Sequence, residues 1–140
     1  MWLTDKILYK CPYKFHMKLN NRTDKRVLGD MGENVACMFL MKHGFEIIER
    51  NYLRKWGEID IVAKKNGEIR FIEVKSVKHE TAYRPEDNMH LWKLKRLGRI
   101  IQTYLLHVKH EGDWQLDLIT VKIDLNTHKA RVEMLENIVI

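Results

Sequence analysis

The stretch that decides the fold is GEIDIVAKKNGEIRFIEVK, residues 57–75. Two runs with strand character, Glu58 to Lys64 and Glu68 to Lys75, flank Asn66-Gly67, a pair whose backbone freedom suits the tight turn of a β-hairpin. With Asn66 and Gly67 as the two loop residues, Lys65 faces Glu68. Counting away from the turn then brings Asp60 opposite Glu73 and Glu58 opposite Lys75. Alternation with a period of two places Glu58, Asp60, Glu73 and Lys75 on one face, together with Val62 and Phe71. Ile59, Ile61, Ile72 and Val74 fall on the other face. Apolar side chains on both faces put the acidic pair at the margin of a core.

Directly opposite residues in such a hairpin have Cβ atoms roughly 4.5–5.5 Å apart, where like charges destabilise each other. Two carboxylates held together there need a shared proton or a cation. A hard divalent ion, bound by one or two protein carboxylates and otherwise by water and phosphate oxygens, meets that demand. Lys75 beside the pair is placed to stabilise negative charge on a phosphoryl group or to orient an attacking water. An exposed cross-strand salt-bridge ladder of the same four residues is the alternative, and a solvated face would favour it. The apolar neighbours on both faces favour the site.

Outward from the hairpin, the pattern predicts an α/β domain. Helical spacing of Val27, Leu28, Met31, Val35, Met38 and Phe39 follows Thr23 or Asp24 as N-cap, with Gly44 as the stop. Phe45 to Leu53 reads as a strand. Residues 76–86 are polar, contain Pro85 and read as a loop. The stripe Leu91, Leu94, Gly98, Ile101, Leu105, Val108 marks a second amphipathic helix from about Asp87 to near Gly112. Two strands, Trp114 to Asp124 and Lys129 to Val139, close the chain around a turn at Asn126-Thr127. The order is αβββαββ, a mixed, mostly antiparallel sheet flanked by helices.

The chain has 140 residues, 45% of them hydrophobic, with 25 Lys and Arg against 19 Asp and Glu. That suits one domain of ordinary core content. No apolar run reaches the roughly 18 residues of a membrane span. An N-terminus carrying Asp5 and Lys6 lacks the pattern of a secretory signal, and Cys11 and Cys37 form no disulfide framework, so the expected location is the cytoplasm. The positive excess is concentrated in residues 1–26, where Lys6, Lys10, Lys14, Lys18, Arg22, Lys25 and Arg26 face only Asp5 and Asp24. Six of these recur every four residues, which would stack them if the segment were helical, although Pro12 interrupts any continuous helix. Residues 1–26 therefore read as a basic N-terminal arm and 27–140 as the domain. Such an arm suits a polyanion, most commonly nucleic acid, with Lys10, Lys14 and Lys18 as contacts. A solvated tail without a specific role accounts for it equally well.

Gly29-Asp30-Met31-Gly32-Glu33, Arg50-Asn51, Gly57-Glu58-Ile59-Asp60 and Phe71-Ile72-Glu73-Val74-Lys75, in this order and spacing, resemble the YraN-like family of small bacterial proteins. That family is similar to the restriction-endonuclease-like PD-(D/E)xK nucleases and, in motif order, to archaeal Holliday-junction resolvases. The resemblance runs from about Leu28 to the C-terminus and implies a restriction-endonuclease-like core. It implies a metal-dependent endonuclease acting on DNA, with Asp60 and Glu73 as Mg²⁺ or Mn²⁺ ligands and Lys75 as the catalytic lysine. Glu33 would be a further acidic ligand or a water-orienting group. By analogy, cutting two strands suits a homodimer. Ser76-Val77-Lys78 departs from the family, which more often has an arginine close behind the EVK, and this bears on substrate grip.

Lys93, Arg96 and Arg99 fall away from the Leu91–Val108 stripe, with Trp92 beside them. They form either a phosphate-contacting ridge with an aromatic for stacking or a solvated face. His107, His110 and Glu111 lack a second ligand pair at zinc spacing. No Walker-type glycine loop, GxSxG or dinucleotide fingerprint occurs, which leaves nucleotide hydrolysis, serine hydrolysis and redox chemistry without support. Two rivals to the nuclease stand: a non-cleaving nucleic-acid-binding module, and a subunit whose arm docks a partner in a DNA-processing complex.

Overall fold

The computed structural model describes residues 2–10, 21–80, 82 and 90–138. Its elements in chain order are β1 (Trp2–Lys10), α1 (Asn21–Lys42), β2 (Glu46–Arg54), β3 (Gly57–Lys65), β4 (Glu68–Lys78), α2 (Leu91–Val108), β5 (Trp114–Asp124) and β6 (Lys129–Leu135). The strands form one sheet in the order β1-β6-β5-β4-β3-β2. Five of them are the expected core. All neighbours are antiparallel except β4 and β5, which run parallel from Ile69↔Trp114 to Lys78↔Ile123. A parallel pair needs a crossover connection, and α2 supplies it. No helix among the described residues is long and apolar enough to cross a membrane.

Each helix covers one face. On the first, Met31, Val35, Phe39 and Leu40 of α1 pack on Ile61, Ile72, Ile119, Val121 and Val132. On the second, Leu97, Ile100, Ile101 and Tyr104 of α2 pack on Val62, Phe71 and Leu116. The hairpin forms as expected. Asn66 (φ 52°) and Gly67 (φ 78°) both adopt positive φ, and the pairing runs from Lys65↔Glu68 to Ile61↔Ile72. Positive φ at both central residues matches the right-handed twist of the flanking strands. Gly44 (φ 85°) ends α1 as expected, with Phe45 N–H donating to Leu40 C=O at 3.0 Å and Gly44 N–H to Met41 C=O at 3.2 Å. This double bond pattern satisfies the carbonyls that a helix end leaves open.

Several boundaries differ from the sequence reading. Residues 2–10, within the stretch read as an arm, form an edge strand on β6, from Trp2↔Leu135 to Lys10↔Lys129. Side chains four apart share a face in a strand as they do in a helix, so the basic spacing cannot separate the two. α1 begins at Asn21, so Thr23 and Asp24 lie inside it. α2 ends at Val108 rather than near Gly112, because Lys109 takes the left-handed conformation (φ 54°) and caps the helix. The buried face of α2 is Leu97, Ile100, Ile101, Tyr104 and Leu105, so Ile101 and Leu105 of the expected stripe are core, whereas Leu91 is 69% exposed.

Candidate metal centre and cleft

The ladder between β3 and β4 is paired as far as Ile61↔Ile72, and the pairs expected beyond it, Asp60 with Glu73 and Glu58 with Lys75, are not formed. There the Asp60 carboxylate accepts the Val74 N–H at 2.7 Å. The side chain thus takes a backbone donor where continued pairing would have set two like charges directly opposite each other. The alternation also slips. Ile59 packs under α2 with Val62 and Phe71, while Ile61 packs under α1, so the two do not share a face as expected. At the same level of β2, Asn51 has φ 53°. A left-handed residue breaks the pleat, and asparagine tolerates that conformation better than most.

The slip lies beside the middle of α1, at Gly32 and Glu33. Carboxylate oxygens of Glu33, Glu58 and Asp60 come within 4.8 Å of one another. Asn51 Nδ2 donates to both Glu33 oxygens, at 3.2 and 3.0 Å, and Arg50 Nη2 lies 3.5 Å from Oε2. Close approach of α1 to β4 seats Glu33: a Cβ at Gly32 would lie 1.6 Å from Ser76 Oγ and 2.8 Å from its Cβ. Gly32→Ala is therefore expected to cost about 2–3 kcal/mol through overpacking, measured by urea denaturation. Adding Ser76→Gly should restore most of the loss. An unchanged midpoint for Gly32→Ala would refute the close contact.

Asp60 is 8% exposed. Burial, then the charges of Glu73, Glu33 and Glu58, push its carboxyl up to about 8 against the single helping hydrogen bond from Val74. Burial and the same acidic neighbours also raise Glu58. Glu73 is turned to a different partner, with its Oε1 2.8 Å from Lys93 Nζ. An open cleft of about 440 Å³ adjoins the cluster, lined by Trp56, Glu58, Glu73, Lys75, Trp92 and Lys93 among others.

The structure thus brings Glu33 and Asp60 together, as the resemblance implies, and puts Glu73 and Lys75 on the wall of the adjoining cleft. Glu73 is outside the three-carboxylate group, whereas Glu58 is inside it. Glu58 was legible as a member of the acidic face but not as a neighbour of Glu33, because no local pattern reveals where α1 crosses the sheet. Lys93 is not on the solvated side of α2. It continues the buried row of Leu97, Ile100 and Tyr104 at i, i+4, i+7 and i+11, which aims it at Glu73. Arg96 Nε donates to Trp56 C=O at 2.9 Å, and Arg99 Cζ stands 4.3 Å from the Trp56 ring centroid. Lys10 ends β1, its side chain lying outside the described part of the molecule, as do Lys14 and Lys18.

An all-carboxylate donor set of this kind suits a hard, oxygen-seeking divalent cation. Buried Asp60 and exposed Glu58, both with raised proton affinity, are also the groups that such an ion would relieve. Fold and site together define a three-layer α/β protein with an acidic, candidate cation-binding cluster at one end of its sheet. The chain belongs to the family described as Uncharacterised protein family UPF0102, which it matches over residues 32–121, a span holding every residue of the cluster and cleft named above. This is the family to which the YraN-like motifs pointed. Among its relatives, a UPF0102 protein of Campylobacter jejuni subsp. jejuni strain 81-176 is 42% identical over 97 residues, covering 69% of this chain and 85% of the relative. One from Campylobacter hominis is 39% identical over 112 residues, 79% of this chain and 91% of the relative. One from Campylobacter lari is 40% identical over 114 residues, 80% and 93%.

Proposed function

We propose that the protein is a metal-dependent endonuclease of the restriction-endonuclease-like PD-(D/E)xK class, hydrolysing phosphodiester bonds in DNA. The observation that carries the reading is the meeting of three carboxylates within 4.8 Å beside a cleft that also holds Glu73, Lys75 and the basic helix α2. Asp60, Glu33 and Glu58 would hold Mg²⁺ or Mn²⁺, with Glu73 at the cleft side. When bound, the ion supplies charge neutralisation at the phosphoryl oxygens and acidifies a water. Lys75 stabilises the developing negative charge and orients the attacking water. Asn51 and Arg50 fix Glu33, and Lys93 fixes Glu73. Similarity of motif order to archaeal resolvases points to branched or repair intermediates as the DNA to try first.

One observation favours a second reading, a nucleic-acid-binding module that does not cut. Glu73 already has a cation, Lys93, at 2.8 Å. The test is cleavage of labelled duplex, single-stranded and four-way-junction DNA in EDTA, Mg²⁺ or Mn²⁺, beside Glu73→Ala. Metal-dependent cutting that the variant lacks is the expected result. No cutting with either metal, with binding that survives EDTA, would replace the nuclease by the module.

A further inference from the structure

Helix α2 carries Lys93, Lys95, Arg96 and Arg99 and not one acidic residue. Its exposed side beside the cleft holds Trp92, 59% exposed, next to Leu91 at 69%. The indole stands at the rim of the cleft that Glu73 and Lys75 line. Arg96, one turn along, has its Cζ 5.7 Å from the Trp92 ring centroid. Arg96 is itself fastened to the β2–β3 turn through Trp56 C=O, and Arg99 lies over the Trp56 ring. Trp92, Arg96 and Arg99 fall at i, i+4 and i+7, one ridge whose guanidinium groups stand by the rings of Trp92 and of Trp56 from the β2–β3 turn.

We infer that this ridge is a stacking platform for an unpaired base, so that the nucleic acid entering the cleft has a single-stranded stretch next to the acidic cluster. This rests on the nuclease reading for what happens in the cleft, but not for what binds the ridge. The charge selects a polyanion, since α2 carries four cations and no acidic residue of its own. The ring selects a flat apolar partner. Only a nucleic acid with an unstacked base offers both, because duplex bases turn their faces to each other and their edges to the groove. Lys93, Arg96 and Trp92 all line the same cleft, which is of nucleotide-binding size.

The experiment measures fluorescence anisotropy of the full chain with a labelled single-stranded DNA 20-mer and with its duplex, in EDTA, so that no cleavage occurs. The parent is expected to bind the single strand about tenfold more tightly than the duplex. Trp92→Ala should lose about tenfold on the single strand, within the range for one stacked base, and less than twofold on the duplex. Trp92→Phe should keep most of the parent affinity, since a ring remains. Equal loss on both DNAs, no loss at all, or no preference in the parent would each overturn the platform. Failure here leaves the cleavage assay standing, and failure to cut leaves this binding result standing.

Discussion

Asp60→Asn is expected to inactivate the protein and, at pH 8 in EDTA, to make it more stable. The carboxyl is 8% exposed, has Glu33, Glu58 and Glu73 around it and is pushed up to about 8. Between about pH 4 and pH 8 the folded chain therefore keeps a proton that the unfolded chain has released. Raising the pH across that window draws the equilibrium towards unfolding, and stability present at low pH is lost on the way up. About four pH units at about 1.4 kcal/mol each set a ceiling on the order of 5 kcal/mol. Asparagine keeps an oxygen for the Val74 N–H and offers an amide donor to the surrounding carboxylates, without the charge. A gain of about 2 kcal/mol or more over the parent at pH 8, shrinking towards pH 5, is the expected reading from denaturant titrations. Added Mg²⁺ or Mn²⁺ should stabilise the parent in proportion to its occupancy and leave the variant nearly unmoved. A variant less stable than the parent at pH 8 would sink the reading of Asp60 as a strained acid.

How much of this was legible in the chain depended on sequence distance. The Asn66-Gly67 turn and the register out to Ile61↔Ile72 followed from local rules, as did the bounds of β5. The acidic face was therefore visible before any tertiary contact was known. The slip at Ile59 and Ile61 was not; it coincides with a left-handed Asn51 on the neighbouring strand, which nothing local distinguishes from an ordinary asparagine. The role of Lys93 was hidden because the stripe chosen through Leu91 overlaps the buried face only at Ile101 and Leu105, and that face extends to the Leu97, Ile100 and Tyr104 side. Strand β1 owes its existence to pairing with β6, more than a hundred residues later. The buried ion pair of Arg70 and Asp117, at 2.8 Å, joins strands separated by α2 and carries no sequence signal at all.

That pair gives the second large effect. Asp117 is fully buried, and Arg70 is 8% exposed. Asp117 Oδ2 accepts Arg70 Nε at 2.8 Å, while Oδ1 accepts Gln115 Nε2 at 2.8 Å and Asn137 N–H at 2.9 Å. The guanidinium also reaches Glu136 at 3.1 Å. Asp117→Ala removes the buried acceptor of Arg70 Nε, the Gln115 amide and the Asn137 N–H, leaving the guanidinium only Glu136 and Glu68, and is expected to cost about 3 kcal/mol, much of a typical domain's reserve. Arg70→Met with Asp117→Leu removes both charges and should recover most of that loss. Denaturant midpoints for the three chains decide it, and a cost below about 1 kcal/mol for Asp117→Ala would mean the pair behaves like a surface bridge. The two buried aspartates thus predict changes of opposite sign within one sheet. Asp117 has an arginine and two amide donors, whereas Asp60 has the single Val74 N–H. Carboxylates surround Asp60 beside an open cleft, an arrangement that a retained proton relieves below about pH 8 and that a bound cation would relieve above it.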